Sequence, residues 1–168
     1  MSSTRRGWLC FLATIIIAVA ISGSKAESRL PWIQCQQGDH AEYIRTLQYL
    51  LRSRGFKVKA DGTFDTQTKK AVRHFQRTKK LVANGVVSKK TWEALIVPVR
   101  RGNKGDAVRA TQNILTFIGY KVPVDGEFGS QTEAAVKGFQ HDIFLKNDGV
   151  VGPVTWNTML NQGMFGPD

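Results

Sequence analysis

Cysteine is scarce in this chain of 168 residues, with two in total. Two cysteines cannot build the disulfide framework of a small secreted miniprotein. The three histidines are scattered, and no His-Glu-x-x-His pattern or run of paired Cys and His is present. We therefore expect no metal site and no other cofactor.

Acidic residues are few, with 13 Asp and Glu against 24 Lys and Arg and a formal net charge of +11. An excess of this sign is compatible with nucleic acid, anionic lipid or a wall polymer as partner, and charge alone does not choose among them. The composition is 42% hydrophobic, which is enough for one ordinary domain or two small ones. The chain is too short for a large multidomain enzyme.

Long apolar runs are also missing, because the main one spans only Trp8 to Ile21. At roughly 14 residues it is shorter than the roughly 20 that cross a bilayer. Arg5 and Arg6 precede it, and small residues up to Ala26 follow it, as in an export signal. We predict a signal peptide over residues 1–26 and a secreted mature form without a stable membrane span. An uncleaved anchor and a twin-arginine signal are the alternatives.

Cys35 is the only thiol that remains once this leader, with Cys10, is removed. In an oxidising compartment a single cysteine makes no internal disulfide bridge. It is then buried, free or paired with another chain, and the sequence leaves these states open.

The rest of the chain matches itself without gaps at an offset of about 64 residues. The aligned segments are Gly55-Phe56 with Gly119-Tyr120, Asp61-Gly62 with Asp125-Gly126, Phe64 with Phe128, Ala71-Val72 with Ala135-Val136, Phe75-Gln76 with Phe139-Gln140, Gly85-Val86-Val87 with Gly149-Val150-Val151, and Thr91-Trp92 with Thr155-Trp156. We predict two copies of one unit, repeat 1 over residues 36–98 and repeat 2 over residues 99–162.

Apolar spacing within each copy is helical. It predicts a first helix near residues 41–54 and near residues 106–118, each ended by a glycine at the C-cap, Gly55 or Gly119.

A second helix is predicted to begin at Thr66 in the first copy and at Ser130 in the second, where Glu133 completes a capping box. A third, shorter helix is predicted to begin at Ser88 and at Gly152-Pro153.

An Asp-Gly turn lies between the first two helices of each copy. Apolar residues flank it, and they are predicted to form a short extended ribbon: Val58 and Phe64, or Val122 and Phe128. The fold class is therefore mainly α, with two tandem three-helix bundle units and a short ribbon or turn between helices 1 and 2 of each. The join over residues 97–102 is too short for a flexible tether.

The repeated motifs resemble the peptidoglycan-binding domain-like family, the small three-helix modules attached to many bacterial wall hydrolases. Its pattern is read in Leu47-Gln48, Gly55-Phe56, Asp61-Gly62-Thr63-Phe64, Thr68, Ala71-Val72, Phe75-Gln76, Gly85-Val86-Val87 and Thr91-Trp92, and more fully in Lys104-Gly105-Asp106-Ala107-Val108, Asp125-Gly126-Glu127-Phe128-Gly129, Thr132, Phe139-Gln140 and the segment from Asp148 to Trp156. The first copy departs from it at Asp65 and at Ser88-Lys89. The resemblance covers nearly the whole mature chain, and it implies binding to peptidoglycan without chemistry of its own.

The Asp-Gly turns and a following threonine are the candidate contacts for a glycan or stem peptide. They are Asp61, Gly62, Thr68, Asp125, Gly126 and Thr132. The competing interpretation is structural, with Asp accepting backbone hydrogen bonds and Gly adopting positive φ. By similar reasoning, Gln48, Gln76, Gln112 and Gln140 are interpreted as satisfied polar groups between helices, and Trp92 and Trp156 as core residues rather than sugar-stacking platforms.

Nearly all the excess positive charge of the mature chain falls in repeat 1. Lys69, Lys70, Arg73 and Arg77 recur along its second helix and predict one basic face. This face is either an ordinary solvated surface or a patch for anionic wall polymers, such as teichoic acids, or for stem-peptide carboxylates. Nucleic acid is a poorer fit for an exported protein.

No catalytic constellation is found. Cys35 has no His partner in the sequence and there is no serine elbow. Asp125 and Glu127 share a turn, but Thr63 replaces the Glu in the first copy, so we interpret the pair as turn residues. We predict an exported, non-catalytic protein of the cell wall that binds peptidoglycan through two modules. The alternatives are a secreted regulator, inhibitor or targeting partner of a separate wall hydrolase and, less well supported, a wall hydrolase itself.

Overall fold

The computed structural model describes residues 30–165, so the predicted signal peptide over residues 1–26 lies outside the described residues. The described range contains six helices, α1 (Glu42–Ser53), α2 (Thr66–Thr78), α3 (Lys89–Leu95), α4 (Asp106–Phe117), α5 (Ser130–Asp142) and α6 (Pro153–Phe165). Three belong to each repeat, which confirms the mainly α prediction. None of these helices is long and apolar enough to cross a membrane.

The first helix of each repeat ends in a left-handed glycine, as predicted. Gly55 has φ of +86° and Gly119 has φ of +100°. The N–H of Phe56 donates to the carbonyl of Leu51 at 3.1 Å, and the second repeat forms the equivalent bond. This pairing satisfies carbonyls that a helix end otherwise leaves without partners.

The second helices begin at Thr66 and Ser130, as predicted, but their capping differs from the prediction. Asp65 is the N-cap of α2, and its carboxylate accepts the N–H of Thr68 at 2.7 Å. In α5 the N-cap is Gly129, which has no side chain to offer, and Ser130 is already helical. The predicted capping box of Ser130 with Glu133 is therefore wrong, because the helix begins one residue earlier than that box requires.

The third helices differ in length. Helix α3 has 7 residues, whereas α6 has 13, so the prediction of a short third helix holds only for repeat 1. Pro98 follows α3, and proline disfavours helical backbone in the residue before it. Gln162 stands at the matching position of repeat 2, and the helix continues through it.

The Asp-Gly turns do not pair with themselves as a ribbon. Within residues 30–165, isolated antiparallel bridges join each turn or loop to the segment before its first helix, through Cys35 with Val87, His40 with Thr63, Val99 with Val151 and Lys104 with Glu127. The chain before each first helix is thus part of the module that follows.

Trp92 and Trp156 are fully buried, which confirms their interpretation as core residues. The indole N–H of Trp92 donates to the carbonyl of Ile33, and that of Trp156 donates to the carbonyl of Val97, both at 2.9 Å. In each module, the buried tryptophan is therefore hydrogen-bonded to the chain segment that precedes the first helix.

The two modules pack through their first helices, α1 against α4. The amide of Asn113 donates to the hydroxyl of Thr46 and to the carboxylate of Glu42, both at 3.2 Å. Arg52 and Asp106 form an ion pair of 3.1 Å across the same contact.

The entering segment also contacts the far end of the chain. Two asparagine amides of α6 donate to it, Asn157 to the carbonyl of Leu30 at 2.9 Å and Asn161 to the carbonyl of Pro31 at 3.0 Å. The modules are therefore joined by helix packing and by the hydrogen bonds between α6 and the segment before α1, as well as by the covalent link.

Candidate functional site

A buried glutamine from α1 holds the Asp-Gly turn of repeat 1. The Gln48 amide donates to Asp61 Oδ1 at 3.1 Å, to the Thr63 carbonyl at 2.9 Å and to Thr68 Oγ1 at 3.2 Å. Its oxygen accepts the N–H of Gly62 at 2.9 Å. This single side chain connects the first helix, the turn and the start of the second helix.

Repeat 2 reproduces this arrangement. The Gln112 amide donates to Asp125 Oδ1 at 2.7 Å, to the Glu127 carbonyl at 3.0 Å and to Thr132 Oγ1 at 3.1 Å. Its oxygen accepts the N–H of Gly126 at 2.8 Å. The interpretation of these glutamines as satisfied polar groups is confirmed.

The structure brings the predicted contact residues together but buries most of them. Thr68 and Thr132 are only 1% and 2% exposed, with their hydroxyls bound to the glutamines. Both turn glycines are buried too. The aspartates are the members of this set that reach the surface: Asp61 is partly exposed and Asp125 is exposed.

Both aspartates are held in the ionised form. The backbone N–H of Thr63, and then the Gln48 amide, lower the pKa of Asp61 below its ordinary value. The backbone N–H of Glu127, and then the Gln112 amide, do the same for the pKa of Asp125. Each turn therefore presents a carboxylate that accepts hydrogen bonds from hydroxyl or amide donors.

An arginine lies over each turn, and sequence reasoning missed both. Arg109 donates to the carbonyl of Asp125 at 3.0 Å and pairs with Asp106 at 3.1 Å. Arg45 pairs with Glu42 at 2.7 Å and reaches the carbonyl of Asp61 at 3.5 Å. The signal was available, because an acid and an arginine three residues apart recur at the repeat offset.

A second glutamine in each repeat holds the turn before the third helix. The Gln76 amide donates to the Val86 carbonyl at 2.8 Å and to Thr91 Oγ1 at 3.1 Å, and its oxygen accepts the N–H of Gly85 at 3.0 Å. Gln140 makes the corresponding bonds in repeat 2.

The four residues predicted to make a basic face lie on α2. Lys70, Arg73 and Arg77 are exposed and Lys69 is partly exposed. Within residues 30–165, none of the four lies within ion-pair distance of a carboxylate. Their charge is uncompensated by local partners.

The matching face of α5 has a different charge pattern. Glu133 stands where repeat 1 has Lys69, and it pairs with Lys137 and with Arg101, each at 3.2 Å. Ala134 replaces Lys70. The two modules share a fold and differ in surface charge along their second helices.

An open groove of about 520 Å³ lies where the modules meet. It is lined by Arg52, Gly55, Phe56, Lys57, Val58, Lys59, Gln67 and Asp106. Seven of these residues belong to repeat 1, and repeat 2 contributes Asp106, which forms the ion pair with Arg52.

The groups weighed as catalytic candidates are engaged structurally. Glu127 pairs with Lys104 at 2.7 Å, and Asp125 Oδ1 accepts the N–H of Glu127 at 2.8 Å. Cys35 is fully buried, and desolvation, followed by the charge of Asp39, raises its thiol pKa. Among the described residues no cluster of His, Cys, Asp and Glu could hold a metal ion.

The model of one family, described as a putative peptidoglycan binding domain, matches the chain twice, over residues 40–95 and 104–159. The chain is 35% identical over 109 residues to N-acetylmuramoyl-L-alanine amidase CwlM of Mycobacterium tuberculosis, covering 57% of this chain and 27% of that protein. It is 27% identical over 191 residues to a probable N-acetylmuramoyl-L-alanine amidase of Bacillus licheniformis, covering 96% of this chain and 54% of that protein.

Among solved structures, the chain is similar to a peptidoglycan-binding protein from Clostridioides difficile in complex with glutamine hydroxamate. The identity is 44%, with 38% of this chain and 40% of that chain covered and a TM-score of 0.38. The chain thus spans about a quarter to a half of the length of these relatives.

Proposed function

From the membership of this chain in the putative peptidoglycan binding domain family, to which it belongs through both of its repeats, we propose that it is an exported, non-catalytic protein that binds peptidoglycan through two modules. The double family match is the observation that carries the proposal. The proposed organisation is a signal peptide over residues 1–26, followed by modules over residues 36–98 and 99–162.

We assign the Asp-Gly turns as the contact with glycan or stem peptide. Asp61 and Asp125 accept hydrogen bonds from hydroxyl or amide groups of the polymer. The other members of this set support the turns from the interior, because they are buried and hydrogen-bonded to the glutamines that hold each turn. They are Gly62, Gly126, Thr68 and Thr132. The support for this assignment is that one carboxylate in each repeat is both ionised and accessible.

The basic face of α2 supplies a second, electrostatic component to binding. Four cations without nearby carboxylates attract teichoic acids or the carboxylates of stem peptides. Such an attraction between exposed charges weakens as salt rises, because the Debye length falls from about 10 Å at 0.1 M to about 3 Å at 1 M.

A second function, as regulator or targeting partner of a separate wall hydrolase, is favoured by the relatives. Two of them are named as amidases, and this chain covers only 27% and 54% of their lengths. A binding protein that acts together with a separate hydrolase fits this pattern.

Sedimentation with purified insoluble peptidoglycan tests the main proposal. The chain lacking residues 1–26 is incubated with the polymer over a salt series, and the supernatant is assayed for released muropeptides. We expect the protein to sediment at low and moderate salt without releasing fragments. Failure to sediment would refute peptidoglycan binding, and released fragments would refute the non-catalytic assignment.

The electrostatic component is tested by changing Lys69, Lys70, Arg73 and Arg77 together to Gln. We expect several-fold weaker sedimentation at low salt and a flatter dependence on salt. The matched control removes the same charge from repeat 2, through Lys104, Lys121, Lys137 and Lys146 changed to Gln. Equal losses in both variants would show that net charge, and not this face, governs the attraction.

A further inference from the structure

Large apolar side chains are exposed at one corner of each module, which is the loop between its second and third helices. Of the three that are exposed among the described residues, Val82 and Phe144 lie in the loop between the second and third helices, in repeats 1 and 2 respectively. Val82 is 80% exposed and Phe144 is 76% exposed. Two of these three side chains thus lie in the same loop of the two copies, although not at equivalent positions.

The backbone at this corner is strained. Phe144 has φ of +56°, and its equivalent Lys80 has φ of +54°, and these are the non-glycine residues with positive φ in residues 30–165. The following residue, Leu145, donates its N–H to the Gln140 carbonyl at 2.8 Å, as at the end of a helix capped by glycine. A bulky residue in this conformation is an outlier. Since the ring of Phe144 is mostly in solvent, burial does not compensate for the strain.

In both loops a cationic residue and an exposed apolar residue lie two positions apart, but their order along the chain is reversed between the repeats. In repeat 1 a cation, Lys80, precedes the apolar Val82, whereas in repeat 2 the apolar Phe144 precedes the cation Lys146. The residues next to Phe144, Ile143 and Leu145, are apolar and turned towards the core, whereas the exposed residues within three positions of it are polar: His141, Asp142, Lys146 and Asn147.

The size of this surface indicates its occupant. Protein and lipid interfaces need contiguous apolar patches of several hundred Å². The exposed apolar side chain here is a single ring, and the exposed residues near it in the sequence are polar. One aromatic face with polar groups beside it matches one sugar ring, which has apolar C–H faces and a rim of hydroxyls.

We propose that Phe144 is a stacking platform for one pyranose ring of the glycan strand. The inference rests on the proposed peptidoglycan binding and adds to it a residue outside the Asp-Gly turns. It also divides the work between the modules, because repeat 2 contacts the sugar through an aromatic ring whereas repeat 1 attracts anionic groups through α2.

Strain provides an unusual test of this role. Replacing Phe144 by Gly removes the ring and also relieves the backbone, so the variant should melt at the same or a higher temperature than the parent. We expect Phe144→Gly to bind insoluble peptidoglycan, and an N-acetylglucosamine tetramer followed by NMR, roughly two- to tenfold more weakly. Phe144→Trp should retain binding because it retains a stacking face.

Lys80→Gly is the matched control, since it relieves the same strain in repeat 1 without removing a ring. It should leave binding of the tetramer unchanged. If Phe144→Gly melts higher and binds like the parent, the stacking role is refuted while peptidoglycan binding stands. If the parent protein itself does not sediment with peptidoglycan, the proposed function is refuted instead.

Discussion

At the scale of the residue, glutamine holds the turns of this protein. Gln48 and Gln112 occupy equivalent positions and make the same four hydrogen bonds, each uniting a turn glycine, an aspartate and a threonine. A buried amide with two donors and an acceptor is useful only when every partner is present. The sequence indicated that these glutamines were satisfied, but their partners lie 13 to 20 residues away and became identifiable only in the folded chain.

Replacing Gln112 by Leu should destabilise the protein by about 2–4 kcal/mol. The substitution leaves the buried N–H of Gly126 without its acceptor and removes the donor to Thr132, and each orphaned group costs about 1–3 kcal/mol. Urea unfolding followed by circular dichroism measures the change. Gln131→Leu is the control, because Gln131 is exposed on α5 and its loss should cost under about 0.5 kcal/mol. Similar losses from both substitutions would contradict the role of the buried amide.

Cys35 should be unreactive in the native protein. Its side chain has no exposed surface, and burial raises the pKa of the thiol, so little thiolate is available to attack a reagent. Ellman's reagent should label the chain lacking residues 1–26 only after guanidinium unfolding, with one thiol per chain. Rapid native labelling, or a dimer band in non-reducing electrophoresis, would instead support the free or intermolecular state.

At the scale of the element, equivalent helices of the two modules begin and end by different means. Helix α2 has a carboxylate cap from Asp65, whereas α5 begins after Gly129. Helix α3 is shorter than α6, because Pro98 follows it at the position where α6 continues through Gln162. The proline signal was readable in the sequence. The capping error could not be avoided from spacing alone, because the spacing of Ser130 and Glu133 matches a capping box although the N-cap is Gly129.

Removing the cap of α2 and adding a cap to α5 should change the free energy of unfolding in opposite directions. Asp65→Ala removes the bond to the N–H of Thr68 and should cost about 1 kcal/mol. Gly129→Asp should add about 0.5 kcal/mol, because its backbone is extended with φ of −85° and an added Cβ meets no atom within 4 Å. Thermal unfolding of the two variants, compared with the parent, measures both. A loss of stability in Gly129→Asp would contradict the capping argument.

At the scale of the whole molecule, the modules behave as one packed body. Helices α1 and α4 pack together, Asn113 reaches Thr46 across the contact, and the entering segment binds asparagines of α6. This arrangement gives the two Asp-Gly turns a set spacing, which a flexible link would not. Two weak contacts held at a set spacing bind a long polymer more tightly than either does alone.

Unfolding should therefore follow a single transition, seen alike by tryptophan fluorescence and circular dichroism. Thr46→Glu should separate the modules, because it places an unpaired charge in a site with no exposed surface. We expect a lower midpoint and transitions that no longer coincide. Arg52→Ala, which removes the partly exposed ion pair with Asp106 and the contact of the guanidinium with the Tyr49 ring, should cost no more than about 1 kcal/mol. Two transitions in the parent protein would show that the modules fold independently.

The sequence by itself determined the repeat, the six helices, the left-handed glycines and the basic α2, because periodicity, glycine conformation and charge are properties of residues close together in the chain. Only the tertiary structure decided which polar groups are buried, which arginines lie over the turns and how the modules pack. Those outcomes depend on neighbours far apart in sequence, such as Ile33 with Trp92 or Leu30 with Asn157. The exposed ring of Phe144 is of this second kind: local patterns did not single it out, whereas other phenylalanines, such as Phe75 and Phe139, are buried in the core by partners from elsewhere in the chain.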